Sequence, residues 1–252
     1  MIRIEHITKR FEDDTVLNDV SLDIREGEAL AVIGRSGSGK SVLMKHIIGL
    51  LKPDEGRITV DDVDINNVSY RDVRRVRRKF GVLFQGGALF DSMTAFENVA
   101  FPLRTFTTES DQVVREKARE CLEMVNLSDI GDKTPSEISG GMQKRVALAR
   151  AIALRPKYII YDEPTSGLDP ETSNRIDELI NSLTEHLSVT SIVITHDMHS
   201  VLSIADHVAF IHNGRIHWSG TIDELHSSED EVLLEFVRAN EYKIGVPSPI
   251  GS

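Results

Sequence analysis

The sequence predicts an α/β fold: a mainly parallel sheet, with an antiparallel β subdomain and an inserted helical subdomain. Three observations carry this expectation. An apolar run from Ala29 to Ile33 passes straight into a glycine-rich loop and then a helix pattern. Further strand signals follow at Gly81 to Gln85, Tyr158 to Tyr161, Ser191 to Thr195 and Val208 to His212. Between the first two of these lies a helical stretch of about residues 86 to 156, which a strand–helix alternation has to carry as an insertion. A chain of 252 residues is long enough for one such domain.

Taken in order, IRIEHITKRF and TVLNDVSLDI read as two strands joined by an acidic turn. EGEALAVIG is a turn leading into the buried strand. The helix after the glycine loop starts at about Gly39, carries Val42, Leu43, Lys45, His46, Ile47 and Ile48, and is ended by Pro53. GRITVDDVDI reads as a hairpin on a sheet edge. SYRDVRRVRRKF reads as a solvated helix face covering acidic neighbours, in preference to a lipid-headgroup site. The insertion divides into helices at Ala95 to Phe101, Gln112 to Val125 and Met142 to Leu154. Asn213-Gly214 is a hairpin turn signal. The final YKIGVPSPIGS has turn formers and little periodicity, as expected of a tail.

The net charge of -11 argues against sequence-independent nucleic-acid binding, so no nucleic-acid partner is expected. No apolar run approaches the roughly 20 residues of a membrane helix. The opening MIRIEHITKRF places charges where a secretory signal needs its apolar centre. A cytoplasmic protein is expected, one that serves any membrane process through a partner. Cys121, the only cysteine, shares a helical face with Val114, Ala118, Leu122 and Val125 and reads as core filling.

The chemistry starts at Gly34-Arg35-Ser36-Gly37-Ser38-Gly39-Lys40-Ser41, a complete phosphate-binding loop between a strand and a helix. Its glycines let main-chain N–H groups converge on phosphate oxygens at a helix N-terminus. Residues Arg35 to Val42 are candidates for holding a nucleotide, Lys40 for reaching its β- and γ-phosphates and Ser41 for ligating Mg²⁺. Tyr158 to Glu163 is an apolar strand ending in two carboxylates. Asp162 suits the Mg²⁺ shell and Glu163 suits positioning and polarising an attacking water. Ser139, Gly140, Gly141 and Met142 open a further helix. Ser139 could be a plain cap, but two glycines there also make a second anion-binding surface, one that could close over a nucleotide held by another copy. Asp169-Pro170 fits a helix cap compatible with function. His196 stands at a strand's carboxyl end, where it is either a solvated loop histidine or a site residue.

Together these motifs resemble the ATPase subunits of ATP-binding-cassette (ABC) transporters, over about residues 1–226. The resemblance implies the P-loop NTPase fold of that family, with ATP and Mg²⁺ as cofactors. It makes Gln85 the residue that senses Mg²⁺ and the γ-phosphate, Ser139 to Met142 the signature, Ser166 to Asp169 the D-loop and His196 the switch histidine. Phe11 matches the aromatic that stacks on adenine, although a strand residue could equally be core. Catalytic roles fall to Glu163, His196, Lys40 and Gln85, and Mg²⁺ ligation to Ser41, Gln85 and Asp162. The family works as a head-to-tail homodimer. Residues 227–252 form an extension beyond the resemblance, expected to be partly disordered. The family signature ends SGGQ, whereas here Met142 takes the glutamine's place and Gln143 follows. SGGM and the segment Leu83 to Arg104 resemble ATPases paired with MCE-type lipid-transfer proteins, the Mla type among them. That implies an integral membrane permease docking near Gln85 to Arg104, and an MCE-type periplasmic lipid-binding protein reached through it. The lipid cargo, phospholipid by preference, is not bound by this chain, which would sit on the cytoplasmic face of the inner membrane. The alternatives are a small-solute importer ATPase and, with less support, a nucleic-acid-associated cassette ATPase.

Overall fold

A computed structural model describes residues 1–240. It contains strands β1 (Ile2–Phe11), β2 (Asp14–Ile24), β3 (Ala29–Ile33), β4 (Glu55–Val60), β5 (Val63–Asp64), β6 (Phe80–Leu83), β7 (Tyr158–Asp162), β8 (Thr190–Thr195), β9 (His207–His212) and β10 (Arg215–Thr221). The α-helices are α1 (Lys40–Ile47), α2 (Tyr70–Arg77), α3 (Ala95–Phe106), α4 (Asp111–Met124), α5 (Gly140–Ile152), α6 (Pro170–Leu187), α7 (Met198–Ile204), α8 (Ile222–His226) and α9 (Glu231–Ala239).

Two sheets form. One is antiparallel, in the order β2-β1-β4-β5, and the other runs β10-β9-β3-β8-β7-β6. In the second, the five strands from β9 to β6 are parallel and only β10 is antiparallel, joined through Asn213-Gly214. The three central parallel strands, β3, β8 and β7, are buried end to end, which is why they read as largely apolar runs. Helices cover both faces. On one side α3 to α6 pack Val99, Leu103, Leu122, Leu148 and Ile180 against Ile159 and Tyr161. On the other, α1 and the antiparallel sheet pack Leu43, Ile47, Ile2 and Ile4 against Val32, Ile160 and Ile192.

The predicted architecture is therefore present, with three local differences. Helix α3 runs five residues past Phe101 in spite of Pro102. The ring removes one main-chain donor, while burial of Leu103 beyond it and the Thr107 Oγ1 bond to the Leu103 carbonyl hold the next turn. The basic stretch is not simply a solvated face over acids. Val73 and Val76 of α2 are buried, and Arg77 donates to the carbonyls of Ile48 and Gly49 at the C-terminal end of α1. The extension from residue 227 begins as structure: α9 buries Leu233, Phe236 and Val237 against Ala31, Ile33 and Phe210 of the main sheet. The expected tail YKIGVPSPIGS lies outside the described residues. Cys121 is buried in the helical core, as expected, and burial pushes its thiol up to about 12.

The topology has one consequence for chemistry. Because β3, β6, β7 and β8 are parallel, their carboxyl ends lie at one edge of the sheet. Ile33 pairs with Thr195, Leu83 with Tyr161, and Asp162 with Ile194. The loops beginning at Gly34, Phe84, Glu163 and His196 therefore leave the sheet side by side.

Candidate functional site

The loop from Gly34 to Gly39 wraps the N-terminus of α1. Among the described residues α1 is the one α-helix without a side-chain cap, and its first turn has no acidic residue. Its leading N–H groups are left for a bound anion. The loop's glycines serve two purposes. At Gly37 (φ +80°) a Cβ would meet nothing within 4 Å, on the side that lines an open cavity. At Gly39 (φ +104°) a Cβ would lie 2.9 Å from the Val16 carbonyl oxygen and 2.8 Å from Leu17 Cδ2. Gly37 leaves room for ligand, whereas Gly39 lets β2 press against the loop. The sequence reading assigned all of them to phosphate.

Lys40 is buried and donates to the carbonyls of Gly34 (2.7 Å) and Arg35 (3.1 Å), which holds its ammonium over the loop. Burial lowers its pKa, opposed by the charges of Glu163 and Asp162. Ser38 Oγ is buried without a hydrogen-bond partner among the described residues, an orphaned donor beside an uncapped helix end. These features fit a polyphosphate.

Behind the loop, Ser41 Oγ lies 3.5 Å from Asp162 Oδ1, and burial raises the Asp162 pKa, with the Glu163 charge adding to it. The described residues hold no cluster of three or more His, Cys, Asp or Glu that could cage a metal by themselves. One hydroxyl and one carboxylate suit Mg²⁺, which keeps waters and takes phosphate oxygens. Glu163 has a left-handed backbone (φ +49°), and its N–H is held by the Ile194 carbonyl at 2.8 Å. Its carboxylate meets His196 Nδ1 at 3.0 Å from both oxygens, and Thr195 Oγ1 donates to it at 3.4 Å. His196 is exposed and lies in the loop after β8, and it is also the hydrogen-bond partner of Glu163.

A cavity of about 480 Å³ brings together Arg35, Ser36, Gly37, Gly39, Lys40, Ser41 and Val42 with Gln85, Glu163 and His196. Val16 of β2 and Phe236, Ala239 and Asn240 at the end of α9 also line it, a contribution unseen in the sequence. Phe11 does not line the cavity. It is 43% exposed, which excludes the core alternative, and Lys9 Nζ sits 5.4 Å from its ring centre. Ser139, Gly140, Gly141, Met142 and Asp169 do not line it either. Ser139 Oγ accepts from Met142 N (3.3 Å) and Asp169 Oδ1 from Thr172 N (3.0 Å), so both are caps as read. Met142 packs into the helical core. Gln143 Nε2 donates to the Pro135 (2.8 Å) and Ile138 (3.4 Å) carbonyls, so here the glutamine braces its own loop.

Lys144 also escaped the sequence. It is buried and its ammonium donates to the carbonyls of Gln85 and, at 3.2 Å, Glu163, tying α5 to both loops. Burial lowers its pKa. The available signal was a lysine on the inward stripe with Gly141 and Leu148. Arg150 works alongside it, donating to the carbonyls of Gly87 (2.8 Å) and Ala88 (2.7 Å).

The family model described as ABC transporter matches residues 17–166. The intermembrane phospholipid transport system ATP-binding protein MlaF of Haemophilus influenzae is 40% identical over 94% of this chain and 90% of its own. The methionine import ATP-binding protein MetN of the same species is 41% identical over 98% of this chain and 72% of its own. Among solved structures, the ATP-binding cassette MJ0796, a dimer in a post-hydrolysis state bound to ADP and Pi, superposes with a TM-score of 0.81. It is 34% identical and covers 88% of this chain and 99% of its own.

Proposed function

Since this chain belongs to the ABC transporter family and is an ATP-binding, ATP-hydrolysing subunit, we propose that it works as a homodimer driving lipid transport through a separate membrane permease. The carrying observation for the dimer is that the residues divide. The phosphate loop, Glu163 and His196 line one cavity, while Ser139, Gly140, Gly141 and Asp169 stand outside it, the first three at the glycine-opened N-terminus of α5. A second copy arranged head to tail places each signature over the other's cavity. MJ0796, an ATP-binding cassette, was solved as a dimer.

In this reading Lys40 and the uncapped N–H groups of α1 hold the phosphates. Ser41 and Asp162, with Gln85 at the rim, would hold Mg²⁺, which supplies charge neutralisation at the β- and γ-phosphates. Glu163 orients the attacking water and accepts its proton. His196, hydrogen-bonded to that carboxylate, fixes its direction and faces the γ-phosphate end of the cavity. Phe11, exposed on β1, is the adenine platform. Loss of the γ-phosphate weakens the seam and the copies separate.

The permease contact falls on a groove of about 490 Å³ lined by Tyr70, Arg74, Phe84, Phe90, Phe106 and Arg150. Aromatic rings interleaved with arginines suit a short amphipathic helix bearing acid groups. Phe84 in the groove wall immediately precedes Gln85 in the wall of the nucleotide cavity, so an occupant of the groove is linked to that cavity through adjacent residues. Among the described residues no helix is long and apolar enough to cross a membrane. A peripheral place on the cytoplasmic face of the inner membrane, with an MCE-type protein beyond the permease, completes the assembly.

Similarity to MlaF, the Met142 signature and the Leu83 to Arg104 segment support lipid as cargo, with phospholipid as its class. Similarity to MetN favours a second reading, import of a small solute. Purification from membranes with its permease, followed by mass spectrometry of bound lipid, separates them. Lipid and an MCE-type protein in the complex support the first, and a solute-binding partner without lipid overturns it.

A further inference from the structure

Helix α6 turns Ile176, Leu179, Ile180 and Leu183 to the interior, yet Asp177 lies among them only 3% exposed. Its Oδ2 accepts from Ser200 Oγ at 2.8 Å, and its Oδ1 has no partner among the described residues. Ser200, fully buried on α7, lies 3.3 Å from Thr165 Oγ1, itself buried. Three polar side chains from three segments thus meet in a buried place. An apolar residue at 177 would cost less, because a buried carboxylate with one partner is poorly compensated.

What these three residues join is informative. Thr165 is two residues beyond Glu163, in the segment that leads to Asp169. Ser200 is on the helix that starts at its Asp197 cap, directly after His196. An ionised carboxylate only accepts, so the chain runs from the Thr165 hydroxyl to Ser200 and from Ser200 to Asp177. Burial pushes the carboxyl up to about 6, opposed by the Ser200 hydrogen bond. We infer that Asp177 is a positioning residue: through Ser200 and Thr165 it locks the segment carrying Glu163 and Asp169 to the helix that orients His196, so these groups move as one unit. The inference rests on the roles given above to Glu163 and His196. Its cost in burial is explained by that task, because a positioning device has to be specific in geometry where an apolar contact is not.

The test uses the full chain and steady-state ATP hydrolysis. Asp177→Leu should lower kcat about 10-fold or more, with KM for ATP within about 2-fold of the parent. Its thermal midpoint at pH 7.5 should be no lower than the parent's. Asp177→Asn, which can still accept from Ser200, should recover most of the lost kcat. Ser200→Ala should lose kcat as Asp177→Leu does, and the double variant should be no worse than either, because both break one chain. A kcat for Asp177→Leu within 2-fold of the parent overturns the inference. So does loss of kcat that tracks a lowered thermal midpoint and is not recovered by asparagine. Should Asp177→Leu not fold, Ser200→Ala decides alone, and an unchanged kcat there is a refutation. Glu163→Gln is the control: if it keeps parental turnover the site reading fails, whereas its collapse beside an active Asp177→Leu sinks only the inference.

Discussion

Alanine at Gly37 and alanine at Gly39 should have opposite effects, although the residues are two apart in one loop. Both have positive φ, +80° and +104°, so each pays for a Cβ in a region disfavoured by about 1–2 kcal/mol. Both also gain the same small benefit from a stiffer unfolded chain, which cancels between them. The difference lies in surroundings. At Gly39 the new methyl meets main-chain oxygen at 2.9 Å, and Leu17, fully buried, has nowhere to swing. Overpacking of that kind costs about 1–3 kcal/mol more. At about 2–4 °C per kcal/mol for a domain this size, Gly39→Ala should melt some 2–12 °C below Gly37→Ala. At Gly37 the methyl instead meets nothing within 4 Å, at the wall of the cavity proposed to hold the phosphates. Gly37→Ala should therefore bind a fluorescent ATP analogue more weakly while melting only the few degrees below the parent that its φ costs. The assay is thermal unfolding without nucleotide, paired with a nucleotide titration. Equal midpoints, or a lower one for Gly37→Ala, would refute the division of labour within the loop.

Other outcomes follow from the same geometry. Glu163→Gln should keep ATP affinity and accumulate a dimer on gel filtration with ATP, while phosphate release falls about 100-fold or more. Lys40→Ala should weaken ATP binding by about 10- to 100-fold by calorimetry, as expected for loss of a charged hydrogen-bond donor. Lys144→Met should leave ATP affinity near the parent and lower kcat several-fold, because the Gln85 and Glu163 loops lose their shared donor; unchanged kcat would remove Lys144 from the site. For Asp177, pushed up to about 6 from 3.8 with Asp197 and His199 facing it, the folded state holds the proton more tightly than the unfolded one. Its contribution to stability is thus greatest below about pH 4 and falls as pH rises through 6. Asp177→Asn should flatten that slope, so its thermal midpoint should exceed the parent's at pH 7.5 and match it near pH 4.

What the sequence disclosed divides by how far apart the cooperating residues are. The phosphate loop, the Tyr158 to Glu163 strand end and the Asn213-Gly214 turn are contiguous runs whose chemistry is local, and each was readable. The pairing of His196 with Glu163 was half readable: both stand at strand ends, but only the parallel register brings those ends together. Lys144, Asp177 and the α9 contribution were not readable, because their partners lie 59 and 19, 23, and some 200 residues away in the chain. Arg77 looked like one more surface arginine for the same reason, since the carbonyls it binds belong to α1.

Those Arg77 contacts have a mechanical corollary. Helix α1 has eight residues, about 12 Å at 1.5 Å per residue, with Lys40 at one tip and the Arg77-bound carbonyls just past the other. A rod so short cannot bend appreciably. A tilt of its head on a bound phosphate would swing its foot, and with it the arginine-bearing wall of the proposed permease groove. The stroke of the engine would then be set by rigid-body rotation of two turns of helix, with no hinge loop in the drive train.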